Sequence, residues 1–252
     1  MPRIFVSADQ ISDGAVVFTQ EQARHLAGAL RVRTGERVVV VEDGRLQHTV
    51  RITEEAQSRL RGQIEDTQPA TGEPSLQVDV LQAIPARGMD EAVEALALTG
   101  AARIWPVITA RTVARPEARR AQQRIERWRV IAREAAQLAG RASAPAVQEV
   151  QTLQQAVAAI DGRCRILVCV LTATTPMMDM RVEADVRVAM LLGPEGGLDA
   201  ADLAELDARN AERVHLGPRV MPSRLAGALA LTQLFAASGE LRVPADSDLD
   251  AR

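Results

Sequence analysis

From residue 76 onward, short β-branched runs and helical segments take turns along the chain. LQVDVLQAI reads as a strand and DEAVEALALTG as a helix closed by Gly100; ARIWPVI is a strand, and 116–141 a long basic helix. VQTLQQAVAAI is a helix, RILVCVL and VRVAMLL are strands, DAADLAELDARN is a helix and RVHL a short strand. SRLAGALALTQLFAAS closes the set as a helix. Such alternation argues for an α/β domain built on a mostly parallel sheet. Residues 1–68 read differently. RIFVS, AVVF, RVVVVED and LQHTVRIT are short strands, with Asp43-Gly44 as a hairpin signal, and one helix, TQEQARHLAGALRV, interrupts them. That helix starts near Thr19 or Gln20, with Gly35 beyond its end. The Pro/Gly/Ser/Thr bias of 62–75 is that of a linker and places a domain boundary there. The expected units are 1–72, 73–243 and an acidic tail, 244–252.

Composition excludes several classes of chemistry. All 30 basic positions are arginine, so there is no P-loop lysine, Schiff-base lysine or catalytic-lysine base. Three scattered histidines, His25, His48 and His215, form no metal-binding spacing, and no nucleophile-elbow motif occurs. No metal site is expected. No apolar run approaches the roughly 18 residues a membrane span needs, and MPRIFVSADQ has no signal-peptide core, so a cytoplasmic protein without membrane contact is expected. Cys164 and Cys169, five apart on one strand, point to opposite faces; they read as two small buried thiols in a reducing compartment.

Charge is uneven. Residues 111–133 hold eight arginines against two glutamates, while Ile125, Trp128, Ala132 and Ala135 form the apolar stripe of an amphipathic helix. The arginines on its other faces suit either solvent or RNA phosphate.

The most informative stretch is LLGPEGGLDAADL, 191–203: a strand, a tight turn, then a helix with an acidic start. In open α/β sheets, ligands bind at the carboxyl ends of strands. Gly193, Gly196 and Gly197 permit positive φ and close backbone approach, with turn N–H groups free for a ligand. Glu195 is available to accept from a hydroxyl or amine. A second Gly-Pro turn follows in RVHLGPRVMPSRLAGALALTQL.

LLGPEGG followed by HLGPRV and an Ala/Leu-rich last helix resembles the small-subunit ribosomal RNA uridine-N3 methyltransferases of the SPOUT class. ARHLAGALRVRTGERVVVVEDG is similar to that family's PUA-like barrel. RGMD, ARIWPVITARTV and RWRVIAREAAQLAGRASAPAV are similar to its middle segments. The resemblance implies a knotted, parallel-sheet methyltransferase domain behind a small PUA-like RNA-binding β-barrel. It also implies a homodimer, S-adenosylmethionine as cofactor, and small-subunit ribosomal RNA or the assembled small subunit as partner. The cofactor-binding residues it implies are Leu171, Thr172, Leu192, Gly193, Pro194, Glu195, Gly196, Gly197, Leu216, Gly217, Pro218, Met221, Ser223 and Ala226. Arg219, Arg224 and Glu195 are the catalytic candidates: a fixed cation stabilises the uracil anion, and either Glu195 or a water takes its N3 proton. RNA contacts are expected from Arg24, Arg31, Arg33, Arg111, Arg119, Arg120 and Arg124.

The chain departs from the family pattern where that family runs through arginine, threonine, glutamate and threonine: here stand Pro222, Ser223, Arg224 and Leu225. Leu98-Thr99-Gly100 replaces Glu-Leu-Gly, and Gln137-Leu138 a Glu-Gln pair. These changes leave a non-catalytic or retargeted RNA-binding relative as the alternative, with transfer RNA one such target.

Overall fold

The computed structural model describes residues 1–56, 59–183 and 185–242; the expected acidic tail lies outside the described residues. The described residues form two units: Met1–Glu73 with Ala136–Ser143, and Pro74–Ala135 with 144–242.

The first unit is a mixed sheet with strand order β1-β4-β5-β6-β3-β2: β1 (Arg3–Val6), β2 (Ile11–Ser12), β3 (Ala15–Val17), β4 (Arg37–Glu42), β5 (Leu46–Ala56) and β6 (Arg59–Pro69). Its β1 and β4 are parallel and its other pairs antiparallel. Inward positions alternate along each strand, as a half-buried sheet requires, and bring Ile4, Val16, Val38, Val40, Val50 and Ile52 into one core with Phe18 and Leu26. Asp43 and Gly44 both have positive φ, 45° and 69°, and Arg45 N–H closes the turn on Glu42 O at 2.9 Å. This is the primed geometry that matches strand twist. Thr19 caps α1 (Gln20–Arg24) by accepting from Gln22 N–H, and the helix widens into a π-turn over His25–Ala29.

The expected linker is shorter than its composition suggested. Residues 62–69 are strand, paired with β5 from Ile52↔Gly62 to Leu46↔Pro69. Pairing overrides the local bias there. Glu65 is skipped in the ladder, between the pairs Thr49↔Asp66 and Val50↔Ile64, and its carboxylate takes hydrogen bonds from Arg37 and Arg51 that hold it below the usual range. Gly62 is required by its neighbours: a Cβ would stand 2.3 Å from Val50 Cγ1. Residues 136–143, expected with the second domain, belong to the first unit. Phe5 N–H donates to Gln137 Oε1 (3.1 Å), Arg3 to Arg141 O (3.0 Å), and the buried Arg141 guanidinium pairs with Glu73 at 2.7 Å.

The second unit is an all-parallel sheet of order β10-β8-β7-β13-β11-β14-β12, with β9 beside β8. Its strands are β7 (Val78–Ala83), β8 (Arg103–Ile108), β9 (Ala146–Val147), β10 (Gln151–Thr152), β11 (Arg165–Cys169), β12 (Thr175–Pro176), β13 (Val188–Leu192) and β14 (Glu212–His215). Its helices are α2 (Met89–Thr99), α3 (Ala118–Leu138, whose last three residues count with the first unit), α4 (Leu153–Ala159), α5 (Ala200–Asp207) and α6 (Ser223–Ser238). Alternate strand residues serve opposite faces. Val78, Val80, Ile104, Leu167, Val188 and Met190 pack with α2, α3 and α6. Leu81, Trp105, Val107, Ile166, Val168 and Leu191 pack with α4 and α5. A sheet covered on both faces needs near-continuous apolar strands, and β13 is buried at every residue. The stripe of α3 is inside, with Trp128 2% exposed and its indole N–H donating to Asp90 Oδ1 at 2.9 Å. Phe235 of α6 is 1% exposed; burying a side chain of this size contributes about 1.5–3 kcal/mol. Among the described residues, no helix is long and apolar enough to cross a membrane.

Candidate functional site

Because β11, β13 and β14 run parallel, their following loops emerge on one side of the sheet. Together these loops enclose a hollow of about 460 Å³, within the usual range for small-ligand sites. The loop after β11 contributes Val170, Leu171 and Thr172, with Cys169 at the strand end; the turn after β13 contributes Leu192 to Leu198; the third segment contributes Leu216, Arg219 to Ser223 and Ala226. Leu203 of α5 completes the wall. Apolar side chains and glycine backbone make up most of this lining, and Glu195 and Arg219 are its charged members among the described residues. Such a surface suits a ligand with an extended apolar or aromatic body and few polar ends. Desolvation pushes the Cys169 thiol up to about 12, which makes it a poor nucleophile.

The turn after β13 is held from three sides. Glu195 Oε2 accepts from Ala86 N–H at 3.1 Å, tying it to the loop after β7. Arg111 Nη1 donates to Gly196 O at 2.8 Å, tying it to the loop after β8. Ser223 Oγ donates to Gly193 O at 2.9 Å, tying it to the start of α6. Asp202 reinforces the second tie by accepting from Ala110 N–H at 3.3 Å, while its own N–H is capped by Asp199. The lone carboxylate in a tight turn thus anchors a neighbouring loop. Of the three glycines expected to use positive φ, Gly197 alone does, at 71°; Gly193 and Gly196 lie outside the left-handed region. Gly197 N–H is engaged by Pro194 O at 2.8 Å, so the expectation of free turn N–H groups does not hold there.

Most of the expected cofactor positions meet at this hollow: Leu171, Thr172, Leu192, Gly193 to Gly197, Leu216, Met221, Ser223 and Ala226. Gly217 and Pro218 do not line it. Gly217 has φ of 109° and donates its N–H to His215 Nδ1 at 3.1 Å, so it shapes the turn from behind. Of the catalytic candidates, Glu195 and Arg219 line the hollow. Arg224 does not: it lies over Gly88 with its guanidinium 3.4 Å from Glu91. Sequence reasoning missed Cys169, Val170, Leu198 and Leu203, and within the stretch Leu216 to Ala226 it did not single out Val220 and Pro222; most flank residues it had chosen. Of the expected RNA contacts, Arg24, Arg31 and Arg33 are exposed in the first unit, and Arg111, Arg119, Arg120 and Arg124 are exposed in the second.

A family model described as an RNA methyltransferase domain matches residues 72–234, a span that includes every residue lining the hollow. The ribosomal RNA small subunit methyltransferase E of Mycobacterium bovis is 31% identical over 227 residues, 86% of this chain and 85% of that one. The chain belongs to the ribosomal RNA small subunit methyltransferase E family. The Synechocystis protein of that family is 27% identical over 239 residues, 93% of this chain and 77% of its own length. Among solved structures, the family's Neisseria gonorrhoeae protein, bound to S-adenosyl methionine, superposes with a TM-score of 0.85 at 24% identity, covering 94% of this chain and 98% of that one. A putative methyltransferase of Legionella pneumophila, in complex with the same cofactor, gives 0.83 at 22%, covering 94% and 97%. The fold is that of the family's SPOUT-class methyltransferases: an α/β parallel-sheet domain preceded in sequence by a barrel-like N-terminal sheet.

Proposed function

We propose that the protein transfers the methyl group of S-adenosylmethionine to N3 of a uridine in small-subunit ribosomal RNA. The observation that carries this reading is the hollow after β11, β13 and β14, where glycine backbone and apolar side chains meet one carboxylate and one guanidinium. The residues present fit that cofactor. Leu171, Leu216, Met221 and Ala226 offer apolar contact to an aromatic base. Gly197 leaves open space where a side chain would stand, since a Cβ there meets nothing within 4 Å.

When bound, S-adenosylmethionine supplies a methyl group already activated on a sulfonium, so the chain supplies alignment and charge. The Arg219 guanidinium stabilises the anion that uracil becomes on losing its N3 proton. Glu195 has one carboxylate oxygen committed to Ala86 N–H, and its other oxygen serves as the proton acceptor. Arg224 is not part of this chemistry; it balances Glu91. RNA is held by the exposed arginines of α3 and of the first unit, the enzyme works as a homodimer in the cytoplasm, and its substrate is the RNA or the assembled small subunit.

The test is incubation of the purified protein with labelled S-adenosylmethionine and undermethylated small subunits, followed by RNA digestion and nucleoside identification. Label in N3-methyluridine is expected. Label in another nucleoside, or in transfer RNA instead, overturns the target. Cofactor binding without any transfer overturns the enzyme reading in favour of a non-catalytic RNA binder.

A further inference from the structure

Gln82, next to the end of β7, is completely buried although its amide offers donors and an acceptor. Its Nε2 donates to Ala83 O at 3.0 Å and to Ser223 Oγ at 3.2 Å. Ser223, itself 5% exposed, passes the contact on by donating to Gly193 O at 2.9 Å. A buried chain of hydrogen bonds therefore runs from β7, through the first residue of α6, to the entry of the turn after β13. Among the described residues, β7 itself contributes nothing to the lining of the hollow.

The amide's orientation is fixed by what surrounds it. Reversed, its oxygen would face the Ala83 carbonyl. As it stands, Oε1 meets no donor among the described residues and faces Gly227, where a Cβ would come within 3.0 Å of it. A buried acceptor without a donor destabilises a fold. A leucine fills a similar volume without that defect, so core packing alone gives no reason for glutamine here. The donor side supplies one: with Nε2 on one lone pair of Ser223 Oγ, the hydroxyl hydrogen is directed at Gly193.

We infer that Gln82 is a positioning residue for the cofactor wall, aligning the Ser223 hydroxyl and through it the Gly193 carbonyl and the turn that follows. This rests on the reading of the hollow as the S-adenosylmethionine pocket. Calorimetric titration of the full chain with S-adenosylmethionine, without RNA, tests it. Gln82→Leu and Ser223→Ala each weaken binding about fivefold, the worth of one neutral hydrogen bond. The double variant binds no more weakly than either single one, because both changes remove the same relay. Ser223→Thr keeps the hydroxyl and retains most of the affinity, and Gln82→Leu melts at or above the wild-type temperature. Wild-type affinity in Gln82→Leu, losses that multiply in the double variant, or a loss that tracks a lowered melting temperature would each overturn the relay. No binding by the wild-type chain would instead overturn the cofactor reading beneath it.

Discussion

Replacing Gly197 by alanine separates two reasons for glycine in a ligand-lining turn: space and backbone shape. A Cβ at Gly197 meets nothing within 4 Å, so no clash enters the sum. What remains is φ of 71°, a left-handed conformation that costs an L-residue about 1–2 kcal/mol. At roughly 2–4 °C per kcal/mol for a chain of this size, Gly197→Ala lowers the melting temperature by about 2–8 °C. Asparagine, which tolerates this region better, falls between glycine and alanine, and valine falls below alanine. Gly196→Ala is the control. Gly196 has no positive φ and its Cβ would rest 3.4 Å from Arg111 Cβ, so a change of under about 2 °C is expected. Scanning calorimetry with and without S-adenosylmethionine, together with titration of the cofactor, reads both sides. A turn that keeps its shape shows the cost as lost stability with unchanged affinity. A turn that relaxes shows it as weaker binding, up to about thirtyfold for 2 kcal/mol. Equal stability and equal affinity in Gly197→Ala would refute the argument from backbone shape.

Charge reversal at Arg119, Arg120 and Arg124 is expected to weaken RNA binding and flatten its salt dependence by about 0.7–0.9 per lost phosphate contact; an unchanged slope makes that face of α3 merely solvated. Glu195→Ala releases the loop after β7 and is expected to weaken cofactor binding about fivefold, whereas Glu195→Gln keeps an acceptor for Ala86 N–H and retains most of it. Wild-type binding by Glu195→Ala would remove the tie from the site. Arg165 hydrogen-bonds Glu212 and holds its carboxyl below the ordinary range, so the pair stabilises the fold above the unfolded carboxylate's pKa and is lost as pH falls through the folded value. The pair is partly exposed and screened, so Glu212→Gln lowers the melting temperature slightly at pH 7, and the gap shrinks as pH falls through the folded value; a gap that does not shrink in acid has another cause.

The longer strands and helices of the second unit were legible because each carries its own period, with Gly100 marking the end of α2; the two-residue strands β9, β10 and β12 were not, and α4 begins after β10 rather than at Val150. Their order in the sheet was not, since β13 lies between β7 and β11 through crossovers that no local pattern encodes. The loops at the site were legible from their Gly-Pro turns. The role of each residue inside them was not: Gly196 and Gly197 are the same residue type, and only the backbone path separates them. Arg224 looked like a replacement for a missing arginine, and its position on α6 instead directs it to Glu91. Gln82 was overlooked because an amide within an apolar run reads only as an interruption. Residues 62–69 carried loop-like composition and became a strand because β5 offered a complete ladder.

Residues 136–143 are separated in sequence from the unit they complete. Glu73 accepts from the Arg141 side chain and from the N–H groups of Ala142 and Ser143, and Phe5 N–H relies on Gln137. A cut at residue 73 therefore severs the N-terminal sheet from contacts that it makes with a later stretch of the chain. A chimera that swaps residues 1–73 has to keep a partner for Gln137 and an acceptor for Arg141 in the middle of the chain.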